Sequence, residues 1–263
     1  MRRRELIIAL GFVMAWPIAA NGQPDIRALR GQILLMQAEC IADKLAEFIK
    51  ENQKQVGWTT QLPLTAGSIE QRRFDALRLL RQAPAITELS LLNAEGKEIL
   101  KVSRLAMDVV DSGTDYSKEA KFTEAVAKKA YYGPVYLRGM SEPYMTLALA
   151  GTRSDAGVSI VELNLSPTVE IVQQTKVGNR GVAYVVDAGG RVIAHPDFNV
   201  RKSFRDLSTL AQVQEALTTT ALTGSAHVTR DMNDQKVVAA YARAAGPGWL
   251  VFVELPIEEW TKN

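Results

Sequence analysis

The chain has 263 residues, of which 47% are hydrophobic and 23% charged, a balance typical of a folded globular protein rather than a disordered one. Three arginines and one glutamate in the first five residues account for the whole net charge of +2, so the rest lacks the basic excess of nucleic-acid-binding proteins. One cysteine and two histidines exclude an internal disulfide framework and argue against a zinc enzyme.

The N-terminus has the pattern of an export signal. Residues 2–4 are all arginine, residues 6–20 form an apolar run, and small residues follow at 19–22. A basic region, a short apolar run and a small-residue end are typical of a secretory signal peptide. Residues 1–22 are therefore predicted to be a signal peptide or an uncleaved N-terminal anchor, and either one places the chain in the periplasm.

A long helix and a first group of strands follow in chain order. Apolar residues at three- and four-residue steps predict one continuous helix over residues 24–56. Ser68 begins a second helix, which must end before Pro84. The next predicted elements are strands at 87–92 and 97–102, a helix at 117–129, strands at 133–138, 144–151 and 157–163, and a helix from Ser166 to about residue 174.

The second half of the chain repeats that order. Its predicted elements are strands at 182–186 and 191–194, a helix capped by Ser208, and strands at 226–230, 237–242 and 249–255. LLNAEGK at 91–97 aligns with VVDAGGR at 185–191, and VEL at 161–163 aligns with VEL at 253–255, at offsets of 94 and 92 residues. Two matches at nearly one offset predict two copies of one module. The predicted fold class is α+β, with a long N-terminal helix that carries two modules, each an antiparallel sheet with flanking helices.

Four segments carry more extended motifs, namely YYGPVY at 131–136, SEPYMT at 141–146, GVAYVVDAGGRVIAHPD at 181–197 and GWLVFVELP at 248–256. These segments resemble the extracellular double Cache sensor family of bacterial histidine kinases, cyclases and chemoreceptors. The resemblance covers about residues 26–258 and implies two PAS-like modules, one membrane-distal at 57–175 and one membrane-proximal at 176–258, on the spine helix 24–56. It also implies a ligand in the distal module.

The chain departs from the family pattern in two respects. It carries no kinase, cyclase or HAMP segment, which predicts a separate output protein unless the chain is a truncated receptor. Residues 115–122 also lack the arginine and tryptophan of the R-x-W-Y motif found in amino-acid-binding members, which argues against an amino-acid ligand.

Tyrosines cluster in the predicted distal module, where five of the seven fall within 29 residues. Tyrosine offers a stacking face and a hydroxyl, and arginine can bind a carboxylate through two parallel hydrogen bonds. A pocket for a small polar or anionic molecule is therefore expected there, and the alternative is that individual tyrosines only pack the sheet. The candidate ligand-binding residues are Arg104, Tyr116, Tyr132, Tyr136, Arg138 and Tyr144.

The other reactive side chains do not form a catalytic motif. The sequence has no nucleophile elbow, zinc-binding helix or phosphate-binding loop, so the chain is predicted to be no enzyme and to use no metal or cofactor. His195 is expected to hydrogen-bond locally at a strand exit. Cys40 is expected to act as a small hydrophobic residue, with intermolecular pairing as the alternative.

These features together predict an exported sensor that binds a small molecule in its distal module. The long helix would pass the signal to a membrane-bound histidine kinase, cyclase or chemoreceptor and could pair two copies as a homodimer, and no nucleic-acid partner is expected. Two alternatives stay open. One is a periplasmic solute-binding component of a transporter, which would have doubly wound parallel sheets, and the other is a truncated receptor fragment without a ligand.

Overall fold

One long helix lies along two antiparallel sheets, which makes this an α+β protein. The computed structural model describes residues 26–60, 67–139, 142–153 and 155–262. The predicted signal peptide or anchor at residues 1–22 lies outside the described residues. Within the described ranges, no helix is both long and apolar enough to cross a membrane.

Helix α1 (Ile26–Gly57) forms along a stripe of apolar side chains that recurs every three or four residues. Its 32 residues extend about 48 Å at 1.5 Å per residue, and a single 3₁₀ turn at Trp58–Thr60 follows. This agrees with the predicted long helix. The buried apolar stripe consists of Leu34, Ala38, Ile41, Ala42, Leu45, Ile49 and Val56.

Sheet 1 is built from the first half of the chain and is flanked by three helices. Its strands are β1 (Ile86–Leu92), β2 (Glu98–Ser103), β3 (Val109–Val110), β4 (Ala130–Arg138), β5 (Glu142–Ala150) and β6 (Val158–Asn164). Their order across the sheet is β3-β2-β1-β6-β5-β4, and every neighbouring pair is antiparallel. The flanking helices are α2 (Ile69–Gln82), α3 (Ala120–Lys128) and α4 (Ser166–Gln174).

Sheet 2 is built from the second half and repeats this arrangement. Its strands are β7 (Val182–Val186), β8 (Val192–Ala194), β9 (Thr223–Arg230), β10 (Lys236–Arg243) and β11 (Leu250–Pro256), accompanied by α5 (Phe198–Lys202), α6 (Ala211–Thr218) and α7 (Ile257–Trp260). The order β8-β7-β11-β10-β9 corresponds strand for strand to β2-β1-β6-β5-β4 of sheet 1. The predicted internal repeat is confirmed at the level of sheet topology.

Helix α1 packs against one face of both sheets and joins their cores. Near its start, Gly31 approaches Ala226 of β9, and near its end, Gln53 Nε2 donates a hydrogen bond of 2.6 Å to the hydroxyl of Tyr132 on β4. Buried residues of α1 and of both sheets form one continuous hydrophobic cluster. The face of each sheet turned away from α1, which we call its outer face, carries a separate and smaller cluster.

Some details differ from the predicted elements. Strand β3 and helix α5 were not predicted, because two and five residues are too short to show a hydrophobic period. The predicted cap at Ser208 is wrong, since α6 begins only at Ala211 and the Ser208 N–H donates to Asp206 Oδ1 at 2.8 Å. The Ser117 N–H similarly donates to Asp115 Oδ1 at 2.9 Å, and α3 begins at residue 120 rather than at the predicted 117.

Candidate functional site

The outer face of sheet 1 carries a band of polar side chains beside its small apolar cluster. On β1, Leu89 and Leu91 join the core shared with α1, and the alternating positions Glu88 and Ser90 fall on the outer face. Glu88 pairs directly with Glu162 across β1 and β6, so two carboxylates are neighbours on one face. Like charges directly opposite each other on a sheet repel, and other polar groups surround this pair.

Glu162 is the centre of one hydrogen-bond network in this band. The hydroxyl of Tyr136 donates to Glu162 Oε2 at 2.5 Å, and Thr146 Oγ1 donates to Glu162 Oε1 at 2.9 Å. Burial raises the pKa of the Tyr136 phenol, and the neighbouring Glu162 carboxylate raises it further. The phenol therefore stays protonated at neutral pH and acts as a hydrogen-bond donor to the carboxylate.

A second network lies on β2 and the segment that follows it. Lys101 Nζ is 2.8 Å from Glu88 Oε1, and the Tyr116 hydroxyl is 3.4 Å from an oxygen of the buried Glu98. Burial acts to lower the pKa of Lys101, but the carboxylates of Glu88 and Glu98 outweigh it and raise the value. Lys121 Nζ lies 4.3 Å from the centroid of the Tyr116 ring, a distance at which a cation and an aromatic ring attract each other.

Arg138 and Tyr144 form the other end of the band, on β4 and β5. The guanidinium of Arg138 lies 5.0 Å from the centroid of the Tyr144 ring. The Tyr144 hydroxyl donates to Glu142 Oε2 and accepts a hydrogen bond from Asn164 Nδ2, both at 3.2 Å. Arg138 Nη1 is buried and has no hydrogen-bond partner among the described residues. A buried cationic N–H without an acceptor costs the folded protein free energy. A ligand acceptor that bonds to this atom would therefore gain affinity.

The structure brings four of the six predicted site residues onto one face. Tyr116, Tyr136, Arg138 and Tyr144 all belong to the outer-face band. Tyr132 lies on the opposite face, where it packs against the core shared with α1 and accepts the hydrogen bond from Gln53. Arg104 follows β2, and its Nε donates to the backbone carbonyl of Ile86 at 3.2 Å.

Sequence reasoning missed the acidic members of the band, which are Glu88, Glu98 and Glu162, together with Lys101 and Thr146. Two signals could have found them. Period-two alternation in β1 separates Glu88 and Ser90 from the apolar positions. The repeated VEL motif places Glu162 and Glu254 at matching positions of the two modules. Within the described ranges, no group of three or more histidine, cysteine, aspartate or glutamate side chains could hold a metal ion.

Solved structures share this architecture over nearly the whole chain. The extracellular domain of mmHK1S-Z2, which is described as a histidine kinase, superposes with a TM-score of 0.74 at 14% identity and covers 89% of this chain and 100% of its own. The ligand-binding domain of the Pseudomonas aeruginosa PAO1 amino-acid chemoreceptor PctC, in complex with GABA, has a TM-score of 0.65 at 16% identity, covering 88% of this chain and 100% of its own.

A third structure is the ligand-binding domain of the Campylobacter jejuni chemoreceptor Tlp3 in complex with 4-methylisoleucine. Its TM-score is 0.69 at 13% identity, and it covers 92% of this chain and 96% of its own. Identities this low show a shared fold alone. No curated protein matches the chain by sequence. A family model described as Cache domain matches residues 23–263. This match and the two sheets on one long helix show that the chain belongs to the Cache domain family.

Proposed function

We propose that this chain is an exported sensor module of the double Cache type, which binds a small polar molecule on the outer face of sheet 1. The membrane-distal module would comprise residues 57–175 and the membrane-proximal module residues 176–258. The observation that carries the proposal is the buried, unpaired Nη1 of Arg138 beside the carboxylate network of Glu162. A ligand acceptor at this point would supply the charge-assisted hydrogen bond that the described residues do not give to Nη1.

The charges of the band indicate the ligand's chemistry. Arg138 favours an anionic or carbonyl acceptor, and the carboxylates of Glu162 and Glu88 favour a hydrogen-bond donor such as an amine or a hydroxyl. Tyr136 and Tyr144, with ring centroids 6.1 Å apart, offer an aromatic surface between these groups. The ligand would therefore carry an acceptor at one end and a donor at the other. PctC and Tlp3, which share the fold, are described in complex with GABA and 4-methylisoleucine, which have both kinds of group. Residues 115–122 of this chain lack the R-x-W-Y motif, so we propose a molecule with both kinds of group that is not an amino acid.

The signal would pass through α1 because strand β4 connects the site to this helix. Tyr136 and Arg138 face the site, and Tyr132 on the same strand accepts the hydrogen bond from Gln53 of α1. A ligand that draws Arg138 toward itself favours one position of β4 and thereby one packing of β4 on α1. The output protein would be a membrane-bound histidine kinase, cyclase or chemoreceptor in contact with α1.

A homodimer through α1 fits the exposed side of the helix. Ile26, Leu29, Ile33 and Met36 are 46% to 65% exposed, and Cys40 is exposed as well. Their spacings alternate between three and four residues, which is the a/d pattern of a coiled coil. A second copy of the same helix is the partner that this spacing fits best.

A ligand screen with paired tyrosine variants tests the proposed site. The purified chain is screened by thermal shift against amines, amino acids, organic acids and purines, and a hit is confirmed by calorimetric titration. Tyr136→Phe removes the hydroxyl that orients Glu162 and is expected to weaken binding about tenfold or more, the usual cost of a charge-assisted hydrogen bond. Tyr131→Phe is the matched control, since Tyr131 lies on the same strand and face but packs in the apolar cluster.

The outcomes separate the alternatives. A hit that is weakened by Tyr136→Phe and by Arg138→Gln but not by Tyr131→Phe supports the site. A ligand whose affinity none of these variants changes would support the sensor function but rule out this binding site. A folded chain with no hit supports the truncated receptor fragment. The transporter component is not supported by the structure, because both sheets are antiparallel rather than doubly wound and parallel.

A further inference from the structure

Sheet 2 contains a cavity at the position that corresponds to the polar band of sheet 1. Its volume is about 220 Å³, and it lies on the outer face between β7, β11 and the loops that follow β8 and β9. Glu254 on β11 belongs to its wall and stands 92 residues after Glu162, at the matching place of the repeat. The cavity is therefore an independent feature of the second module, separate from the site proposed on sheet 1.

Glu254 enters this cavity with one oxygen satisfied and one free. Tyr184 donates its hydroxyl to Oε1 at 2.6 Å, and Gln212 Nε2 donates to the same oxygen at 2.9 Å. Oε2 has no hydrogen-bond partner among the described residues. It is not among their fully buried unsatisfied side-chain atoms either, so it is open to the cavity although the residue as a whole is only 5% exposed. A donor group within the cavity can therefore bond to this oxygen.

His195 supplies a second unused group on the same wall. Its Nδ1 accepts a hydrogen bond from the Asp197 N–H at 2.9 Å, so the proton of the neutral ring is on Nε2. Burial lowers the pKa of His195, which keeps the ring neutral at neutral pH. Nε2 has no hydrogen-bond partner among the described residues and can donate to an acceptor in the cavity.

The charged groups around the cavity are mostly acidic. Asp197 and Asp231 line it together with Glu254, and Arg205 is the basic residue of the lining. Arg205 already donates to the carbonyl of Met232 at 3.0 Å. The lining is therefore net negative, which favours a cation over an anion. At about 30 Å³ per water-sized group, the volume accommodates a molecule of roughly seven non-hydrogen atoms.

We infer that the cavity of sheet 2 is a second binding site, for a small primary amine that also carries a hydroxyl or carbonyl acceptor. The ammonium group would donate to Glu254 Oε2, and the acceptor would take the hydrogen bond of His195 Nε2. The ligand would thus bond to the two groups that the protein leaves without a partner, and the buried carboxylate of Glu254 would gain a positively charged partner. This site does not depend on the one proposed for sheet 1.

Titration of the full chain with ethanolamine, 3-aminopropanol and methylamine tests this inference, with ethylene glycol and glycolate as neutral and anionic probes of similar size. We expect an amine to bind and glycolate and ethylene glycol not to bind. Glu254→Gln keeps the shape of the side chain but removes its charge, and should weaken amine binding about tenfold or more. Glu215→Gln, at an exposed glutamate of α6 outside the cavity lining, is the matched control and should leave amine affinity unchanged. Glu162→Gln reports whether an amine binds on sheet 1 instead.

A second variant keeps the test valid if Glu254→Gln does not fold. Val200→Phe enlarges a half-buried residue of the lining without changing any charge, and it should block amine binding by filling the cavity. The inference is overturned if no amine binds, if glycolate binds as well as ethanolamine, or if the folded variants at Glu254 and Val200 both bind amines like the wild type. Amine binding that is lost in Glu162→Gln instead would assign the amine to sheet 1 and overturn the second site.

Discussion

Two glycines at matching turns are among the most constrained residues of the chain. Gly96 has a φ of +81° and Gly190 a φ of +87°, a region that favours glycine. A Cβ added to Gly96 would lie 2.8 Å from the Cα of Ser117, and one added to Gly190 would lie 2.9 Å from the Cα of Ser208. Both turns therefore need glycine for two reasons, the backbone conformation and the approach of a neighbouring loop.

Replacing Gly190 is expected to destabilise the protein strongly. Gly190→Ala should lower the free energy of unfolding by about 2–4 kcal/mol, because a left-handed backbone angle and a clash with backbone act together. Urea unfolding measures this change. Gly189→Ala is the matched control, since its added Cβ would meet only the Asp187 side chain at 3.3 Å. Equal effects of the two variants would contradict this account of the turn.

The buried carboxyl of Glu254 makes a pH-dependent contribution to stability. Burial raises its pKa in the folded state above the ordinary value of 4.5. Between 4.5 and the raised value, the folded state binds more protons than the unfolded state, so stability falls as the pH rises through this window. Glu254→Gln lacks the titrating carboxyl, so it should not lose this stability as the pH rises.

The experiment is urea unfolding of wild type and Glu254→Gln at a series of pH values. The free energy of unfolding of the wild type should fall relative to that of the variant as the pH rises above 4.5. His195 acts in the opposite direction, because its lowered pKa reduces stability as the pH falls below 6.5, and the comparison of two proteins that both keep His195 cancels this contribution. Parallel pH curves for the two proteins would contradict the assignment.

The residues of the site were only partly predictable, and β4 shows why. Period-two alternation would place Tyr132 and Tyr136 on the same face. A β-bulge between Tyr132 and Val135 shifts the register, so Tyr132 points to α1 and Tyr136 to the outer face. Alternation cannot reveal a bulge, and a glutamate within a strand, such as Glu162, resembles an ordinary solvent-exposed position until the neighbouring strands are known.

At the level of elements, the exposed stripe of α1 supports a testable dimer. If two copies pair in parallel through Ile26, Leu29, Ile33 and Met36, the two Cys40 side chains face each other across the same seam. Mild oxidation should then produce a disulfide-linked dimer in high yield, which non-reducing gel electrophoresis detects.

A control cysteine distinguishes cross-linking through the stripe from cross-linking by random collision. In a Cys40→Ser background, Ala28→Cys introduces an exposed thiol on the same helix but on a different side from its stripe neighbours Ile26 and Leu29, and it should cross-link poorly. Ile33→Glu in the wild-type background should reduce the Cys40 cross-link and shift the chain to a monomer in sedimentation. Efficient cross-linking through residue 28 would contradict a parallel dimer on this seam.

Long elements were predicted well and short ones poorly. The helix of 32 residues shows its period many times, so its bounds agree with the predicted 24–56 within the described residues. The start of α6 was misplaced because Ser208 is a residue type that favours caps, whereas the residue that precedes the helix is Leu210, which makes no side-chain capping bond. The Ser208 backbone lies against the turn at Gly190, and the Leu207 N–H donates to the Gly190 carbonyl, a long-range contact that a local pattern does not contain.

At the scale of the whole molecule, the shared core predicts cooperative unfolding. One hydrophobic cluster joins Ala38 and Leu45 of α1 with residues of both sheets, such as Leu147 and Val251, so neither sheet keeps its inner face covered without the helix. Thermal unfolding should be a single transition, with equal calorimetric and van't Hoff enthalpies. Differential scanning calorimetry tests this, and two resolved transitions would show instead that the modules unfold separately.

The contact between the first turns of α1 and helix α7 has a practical consequence. Arg30 Nη1 donates to the carbonyl of Trp260 at 2.5 Å, so the two ends of the described chain lie side by side at one edge of the molecule. Domains with neighbouring ends tolerate insertion into a loop of another protein. This chain is therefore suited to serve as a cassette within a fluorescent reporter, because both junctions would leave the molecule at the same edge.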